Sequence, residues 1–281
     1  CRSLDCVSIF ALTVGDAWQV HQVASSFDSS DAYARPAVVS SRALQATPTL
    51  AIPLPEQLEF FGDSSAARLF ETACSNLKAL GWQLLPSDLT PFFDAAKLLY
   101  EGPWVAERYA AIRPFLESSP DSLHPVTRKI IGDAVTASAV DAFSAQYKLM
   151  ELRRKSEELW KRVDALMLPT TGTIHTLEEV ESQPIALNSN LGTYTNFMNL
   201  LDLAAWAVPA GFLGSGLPWG VTFCAPAFED ERLASLAHAF HDFQDVPVGR
   251  SAVTSKHRPA PEGSGNGRME IAVFGAHLSG M

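Results

Sequence analysis

The chain has 281 residues, 47% hydrophobic and 19% charged, with 18 Pro and 17 Gly. That composition excludes a disordered, collagen-like or coiled-coil protein and suits one large globular domain or two modest ones. The formal charge of -10, with basic residues scattered along the chain, argues against a nucleic-acid binder, whose phosphate contacts demand a basic face.

Cys6 to Val14 is an apolar run of strand-like composition. The chain enters it almost at once from Cys1, which reads as an internal piece of a longer protein. Asp16 to Val23 has helical spacing, with Asp16 as its N-cap. Leu50 to Leu54 reads as a short strand. Ser64 to Leu80 is an amphipathic helix with Ala67, Phe70, Cys74, Leu77 and Leu80 on one face, ended by Gly81. Trp82 to Leu85 is the next strand. Helical patterns run from Pro91 to Leu116, broken at Pro103.

Pro125 to Val163 is helical in two pieces. The charged residues Glu151, Arg153, Arg154, Lys155, Glu157, Glu158 and Lys161 form a solvated face with i,i+4 pairs. Ala165 to Leu168 and Leu217 to Cys224 read as buried strands, and Glu229 to Phe243 as the closing helix. No run reaches the roughly 20 apolar residues of a membrane span; Leu200 to Leu213 is interrupted by Asp202, Pro209 and Gly211. Strands alternating with helices predict an α/β layered domain over residues 1–244. Residues 245–267 have linker composition, and 268–281 alternate like the first strand of a further domain.

Local catalytic signatures are absent: there is no GxSxG, HExxH or GxxxxGK[ST]. Gly263 to Gly267 follows no strand and does not read as a dinucleotide loop. His238 and His241, three apart on the last helix, lack a third metal ligand and read as surface or packing residues. Cys1, Cys6, Cys74 and Cys224 form no CxxC pair and read as reduced thiols of a cytosolic protein.

Longer stretches say more. Ser3-Leu-Asp-Cys-Val-Ser-Ile-Phe-Ala-Leu-Thr-Val14 followed by Asp16-Ala17 resembles the segment just downstream of the catalytic core in the amidase signature family. Three further blocks resemble its allophanate hydrolase branch, which stands alone or fused to urea carboxylase. They are Leu99-Tyr-Glu-Gly-Pro-Trp-Val-Ala-Glu-Arg-Tyr109, Leu191-Gly-Thr-Tyr-Thr-Asn-Phe-Met-Asn-Leu-Leu-Asp202, and Val208 to Phe212 with Leu217-Pro-Trp-Gly-Val221. Ile271 to Gly280 resembles the start of that branch's small C-terminal domain.

The resemblance implies the amidase-signature fold, a mixed sheet flanked by helices and incomplete at its N-terminus. It implies a serine–cis-serine–lysine amide hydrolase with no metal or organic cofactor, commonly dimeric. In the family those catalytic groups precede the Ser-Leu-Asp turn, so no catalytic residue is carried over onto this chain. A substrate-contacting Tyr and Arg of the branch match Tyr100 and Arg108. A guanidinium pairs bidentately with a carboxylate, and a phenol can bond an amide end.

Other readings remain open. Arg108 could pair with Glu101 or Glu107 as a surface residue, and Tyr100 could be half-buried packing. Gly102 and Pro103 shape the loop, and Trp104 reads as packing. Tyr194, Thr195 and Asn196 lie in a polar loop before an apolar helix, lining a pocket or forming a turn. The competing functions are a general amidase, one component of a glutamine-dependent amidotransferase, and a non-catalytic scaffold.

Overall fold

The computed structural model describes residues 2–38, 45–249 and Thr254. The expected linker beyond Gly249, apart from Thr254, and the expected strand 268–281 lie outside the described residues. Thr254 forms an isolated antiparallel bridge with Pro247.

Among the described residues, five strands form one mixed sheet in the order β2-β1-β3-β5-β4. They are β1 (Thr49–Pro53), β2 (Gln83–Ser87), β3 (Ala165–Pro169), β4 (Leu203–Phe212) and β5 (Pro218–Pro226). β2, β1 and β3 run parallel; β5 is antiparallel to β3 and β4. The α-helices of the described residues are, in chain order, α1 (Val14–Ala24), α2 (Ser64–Ala79), α3 (Thr90–Glu101), α4 (Trp104–Ser118), α5 (Pro125–Gly132), α6 (Ala139–Trp160), α7 (Leu177–Ser182), α8 (Ala186–Leu191) and α9 (Asp230–Gln244).

Both faces of the sheet are covered, so its central strands are apolar on both sides, as such sheets require. All five residues of β3 are buried. Ala165 and Met167 join a core with Phe70, Leu77, Phe223 and Phe240, from α2, β5 and α9. Leu166 and Leu168 point the other way, into a core with Phe92, Leu152, Trp160 and Phe197. Each buried Leu, Met or Phe among them contributes roughly 1.5–3 kcal/mol through burial.

The pattern of α2 places its buried stripe at Ala66, Phe70, Ala73 and Leu77, with Ala67 and Cys74 on the flank. Asp63 caps that helix, accepting from the Ser65 and Ala66 amides.

Five local expectations are corrected. Residues 6–11 form no strand, and Val7 and Phe10 are exposed; the apolar run is not part of the described sheet. The N-cap of α1 is Thr13, whose Oγ1 accepts from the Asp16 amide at 3.2 Å, with Asp16 inside the first turn. Residues 192–202 are a run of turns, not a helix. The charged pairs of α6 are spaced i,i+3, as in Arg154–Glu157 and Lys161–Glu158. Arg153 leaves that solvated face: its Nη2 donates to the Leu200 carbonyl at 2.9 Å, and its Nε is buried.

Candidate functional site

Tyr100 sits in the last turn of α3 and Arg108 in the second turn of α4. A continuous helix would separate them by about 12 Å along its axis. The chain breaks instead at Gly102-Pro103. Gly102 caps α3 in an extended conformation, its N–H donating to the Leu98 carbonyl at 3.0 Å. That conformation is what a residue before proline adopts. Only glycine fits there: a Cβ would lie 2.4 Å from the Leu98 carbonyl oxygen. Pro103 then opens α4.

The break folds the two side chains together. The Arg108 guanidinium lies over the Tyr100 ring, 4.9 Å from its centroid, a cation–π contact. Tyr100 is 50% exposed and is not itself among the residues lining the cleft beside Arg108. α3 itself is held from below by Phe92, edge-on to Trp160 at 5.8 Å and to Phe197 at 5.4 Å. The platform beneath Tyr100 is thus part of the core.

Arg108 borders a cleft of about 360 Å³, lined also by Leu4, Asp5, Leu99, Thr195, Asn196 and Asn199. No carboxylate lies within 4.0 Å of its guanidinium among the described residues, so it pairs with neither Glu101 nor Glu107. Glu107 is engaged elsewhere. Its Oε1 accepts from the Ser3 amide at 2.8 Å, and its Oε2 accepts from the Ser3 hydroxyl. The opposite side of the same turn is tied by Asn199, whose Nδ2 donates to the Leu4 carbonyl and contacts Cys6 Sγ at 3.6 Å.

A larger hollow of about 910 Å³ shares Leu4, Asp5 and Asn199 with this cleft. Three of its arginines are already committed. Arg35 makes a bidentate pair with Asp202, at 2.7 and 2.9 Å, and stacks over Phe228. Arg232, almost wholly buried, pairs with Glu229 at 2.6 Å and Asp164 at 3.2 Å. Arg153 holds Leu200. In that respect they differ from Arg108.

Of the three polar-loop candidates, Thr195 and Asn196 line the smaller cleft. Tyr194 does not: it is fully buried, and its hydroxyl accepts from the Glu59 amide at 2.6 Å and donates to the Glu59 carbonyl at 3.0 Å. Burial pushes its phenol up to about 12, so it serves as a neutral structural pin. Trp104 is half-buried at the start of α4. Asn199 carries no signal in the sequence, and Glu107 is expected there only as a partner for Arg108; its partner Ser3 is 104 residues away.

Cys6 and His21 border the larger hollow. Cys6, Cys74 and Cys224 are free thiols. Cys224 is fully buried, and desolvation drives its thiol far up, away from the thiolate. His238 faces Asp242 at 3.4 Å, while His241 is buried. No helix of the described residues is long and apolar enough to cross a membrane.

The amidase family model matches residues 1–234. The chain is 39% identical to urea amidolyase of Saccharomyces cerevisiae over 295 aligned residues, covering all of this chain but 16% of that protein. Urea amidolyase of Lachancea kluyveri is 37% identical over a similar span. The solved structure of Kluyveromyces lactis allophanate hydrolase is similar with a TM-score of 0.83 at 39% identity, covering 89% of this chain and 41% of that one. The structure of 6-aminohexanoate cyclic dimer hydrolase, at 18% identity and a TM-score of 0.67, covers 83% of this chain and 54% of that one and shares the fold. The chain spans less than half the length of these allophanate hydrolase and urea amidolyase relatives.

Proposed function

The chain belongs to the amidase family, and from that premise we propose that it is the substrate-recognising portion of an enzyme that hydrolyses allophanate with release of ammonia. The observation that carries this reading is the Arg108 guanidinium, stacked on Tyr100 and bordering a small cleft, with no carboxylate within 4.0 Å of it among the described residues. Allophanate is a short planar anion with a carboxylate at one end and an amide at the other. Arg108 offers its planar fork to the carboxylate. The Tyr100 face keeps the guanidinium plane in place, and its hydroxyl can donate or accept at the amide end. The likeness to an allophanate hydrolase and to urea amidolyases favours this substrate over those of a general amidase or an amidotransferase. Coupling to urea carboxylase and assembly as a homodimer belong to the same proposal, the first supported by the urea amidolyase likeness.

The test is Arg108→Ala in the full-length enzyme. Loss of a charge-assisted contact worth roughly 2–4 kcal/mol raises KM for allophanate by about 30-fold to several hundredfold. Hydrolysis of an uncharged small amide stays within a factor of about three. An unchanged KM for allophanate removes Arg108 from the site and overturns the reading.

A further inference from the structure

Resting on the reading of Arg108 as the carboxylate clamp, we infer that Glu107 and Asn199 are positioning residues that set the opposing wall of its cleft. That wall is the Ser3-Leu4-Asp5 turn: Leu4 and Asp5 line the cleft together with Arg108. The turn belongs to no helix or strand, so backbone pairing within a regular element does not hold it in place. Two side chains do so. Glu107 takes both the Ser3 amide and the Ser3 hydroxyl on its two oxygens. Asn199, from the turns of residues 192–202, grips the Leu4 carbonyl.

Glu107 directly precedes Arg108 on α4, so the helix that carries the guanidinium also carries the post to which the wall is tied. The width of the cleft is thereby referenced to the position of Arg108. Asp5 makes a second contribution. Its carboxylate is exposed and lies on the same cleft as Arg108, yet farther than 4.0 Å from its guanidinium. A ligand with a carboxylate on one side and N–H donors on the other matches that separation of charge.

The experiment uses the full-length enzyme with Glu107→Ala, Glu107→Gln, Asn199→Ala and the Glu107→Ala/Asn199→Ala double variant. KM and kcat are measured separately for allophanate, beside melting temperature, with Arg108→Ala as reference. Glu107→Ala and Asn199→Ala each raise KM about tenfold and leave kcat within about threefold. Glu107→Gln, which keeps one acceptor for the Ser3 amide, recovers most of the loss. The double variant is less impaired than the product of the singles, because both residues hold one turn.

An unchanged KM in Glu107→Ala, no recovery in Glu107→Gln, or strictly multiplicative effects overturns the inference. So does a loss confined to kcat and melting temperature. If Arg108→Ala is itself silent, the underlying reading fails; if Arg108→Ala raises KM and the Glu107 and Asn199 variants do not, only the positioning role fails.

Discussion

Substitution of Gly102 by alanine is a one-carbon perturbation with a large expected effect. The backbone there is extended at φ -97° and ψ -177°, a conformation alanine adopts freely, so torsional strain is not the obstacle. Contact is. The new Cβ would sit 2.4 Å from the Leu98 carbonyl oxygen, whereas an ordinary carbon–oxygen contact is about 3.3 Å. The groups must part by roughly 1 Å, and the obstructing atom is backbone inside α3, which cannot swing aside as a side-chain tip can. Either the last turn of α3 unwinds or α4 is displaced.

Overpacking of this kind costs about 1–3 kcal/mol of stability. The functional loss is larger than that figure suggests. Tyr100 lies on one side of the break and Arg108 on the other, and a misplacement of about 1 Å between binding groups can cost on the order of a hundredfold. Steady-state kinetics of Gly102→Ala in the full-length enzyme should therefore show KM for allophanate raised at least tenfold, with a melting temperature lowered by a few degrees. Wild-type KM together with wild-type stability would refute the argument, because it would mean that the α3–α4 break absorbs the methyl group without moving either side chain.

Two further outcomes follow from buried groups. Cys224→Ala should leave kcat for allophanate unchanged while costing about 1 kcal/mol of stability from the small cavity it opens; loss of activity with an intact fold would implicate the thiol in the chemistry. Burial lowers the pKa of His241 below the ordinary histidine value of 6.5. The unfolded chain therefore takes up the proton first, and the stability associated with neutral His241 is present above about pH 6.5 and lost as pH falls through the lower, folded-state value. The melting temperature should fall more steeply below pH 6.5 in the wild type than in His241→Leu; parallel curves would show that another group governs acid stability.

Much of the architecture was legible because its signals are local. The apolar runs of β3 and β5 mark buried strands, and the period of α2 places Phe70 and Leu77 in the core, although its buried stripe centres on Ala66 and Ala73 and not on Ala67, Cys74 and Leu80. β4 was not legible, since Pro209 and Gly211 punctuate an apolar run that also contains Asp202 just before it. The strand tolerates them because it lies at the edge of the sheet among the described residues, where a register shift falls between Pro209 and Gly211. Arg153 was misplaced because neighbouring charges suggested one solvated face, whereas its distant acceptor, the Leu200 carbonyl, decides its direction.

The candidate site divides in the same way. Tyr100 and Arg108 lie in one short block whose Gly102-Pro103 break can be read from the sequence. The polar loop shared by Thr195 and Asn196 also points to a pocket, but the cleft that Arg108 borders could not be assembled from the sequence, because Leu4 and Asp5 reach it from about a hundred positions before Arg108. Tyr194 shows the converse: its polar neighbours suggested a pocket, yet its partner at Glu59 makes it part of the interior.

The hydrogen bonds that hold the Ser3-Leu4-Asp5 turn join positions 104 and 195 residues apart. Contacts between such distant parts of a chain carry a loop-closure penalty and form slowly compared with local ones. α4 can acquire its helical shape from neighbouring residues alone, whereas the cleft beside it needs residues 3–5 to meet residues 107 and 199. Helical content therefore registers local structure, and the cleft registers long-range contact.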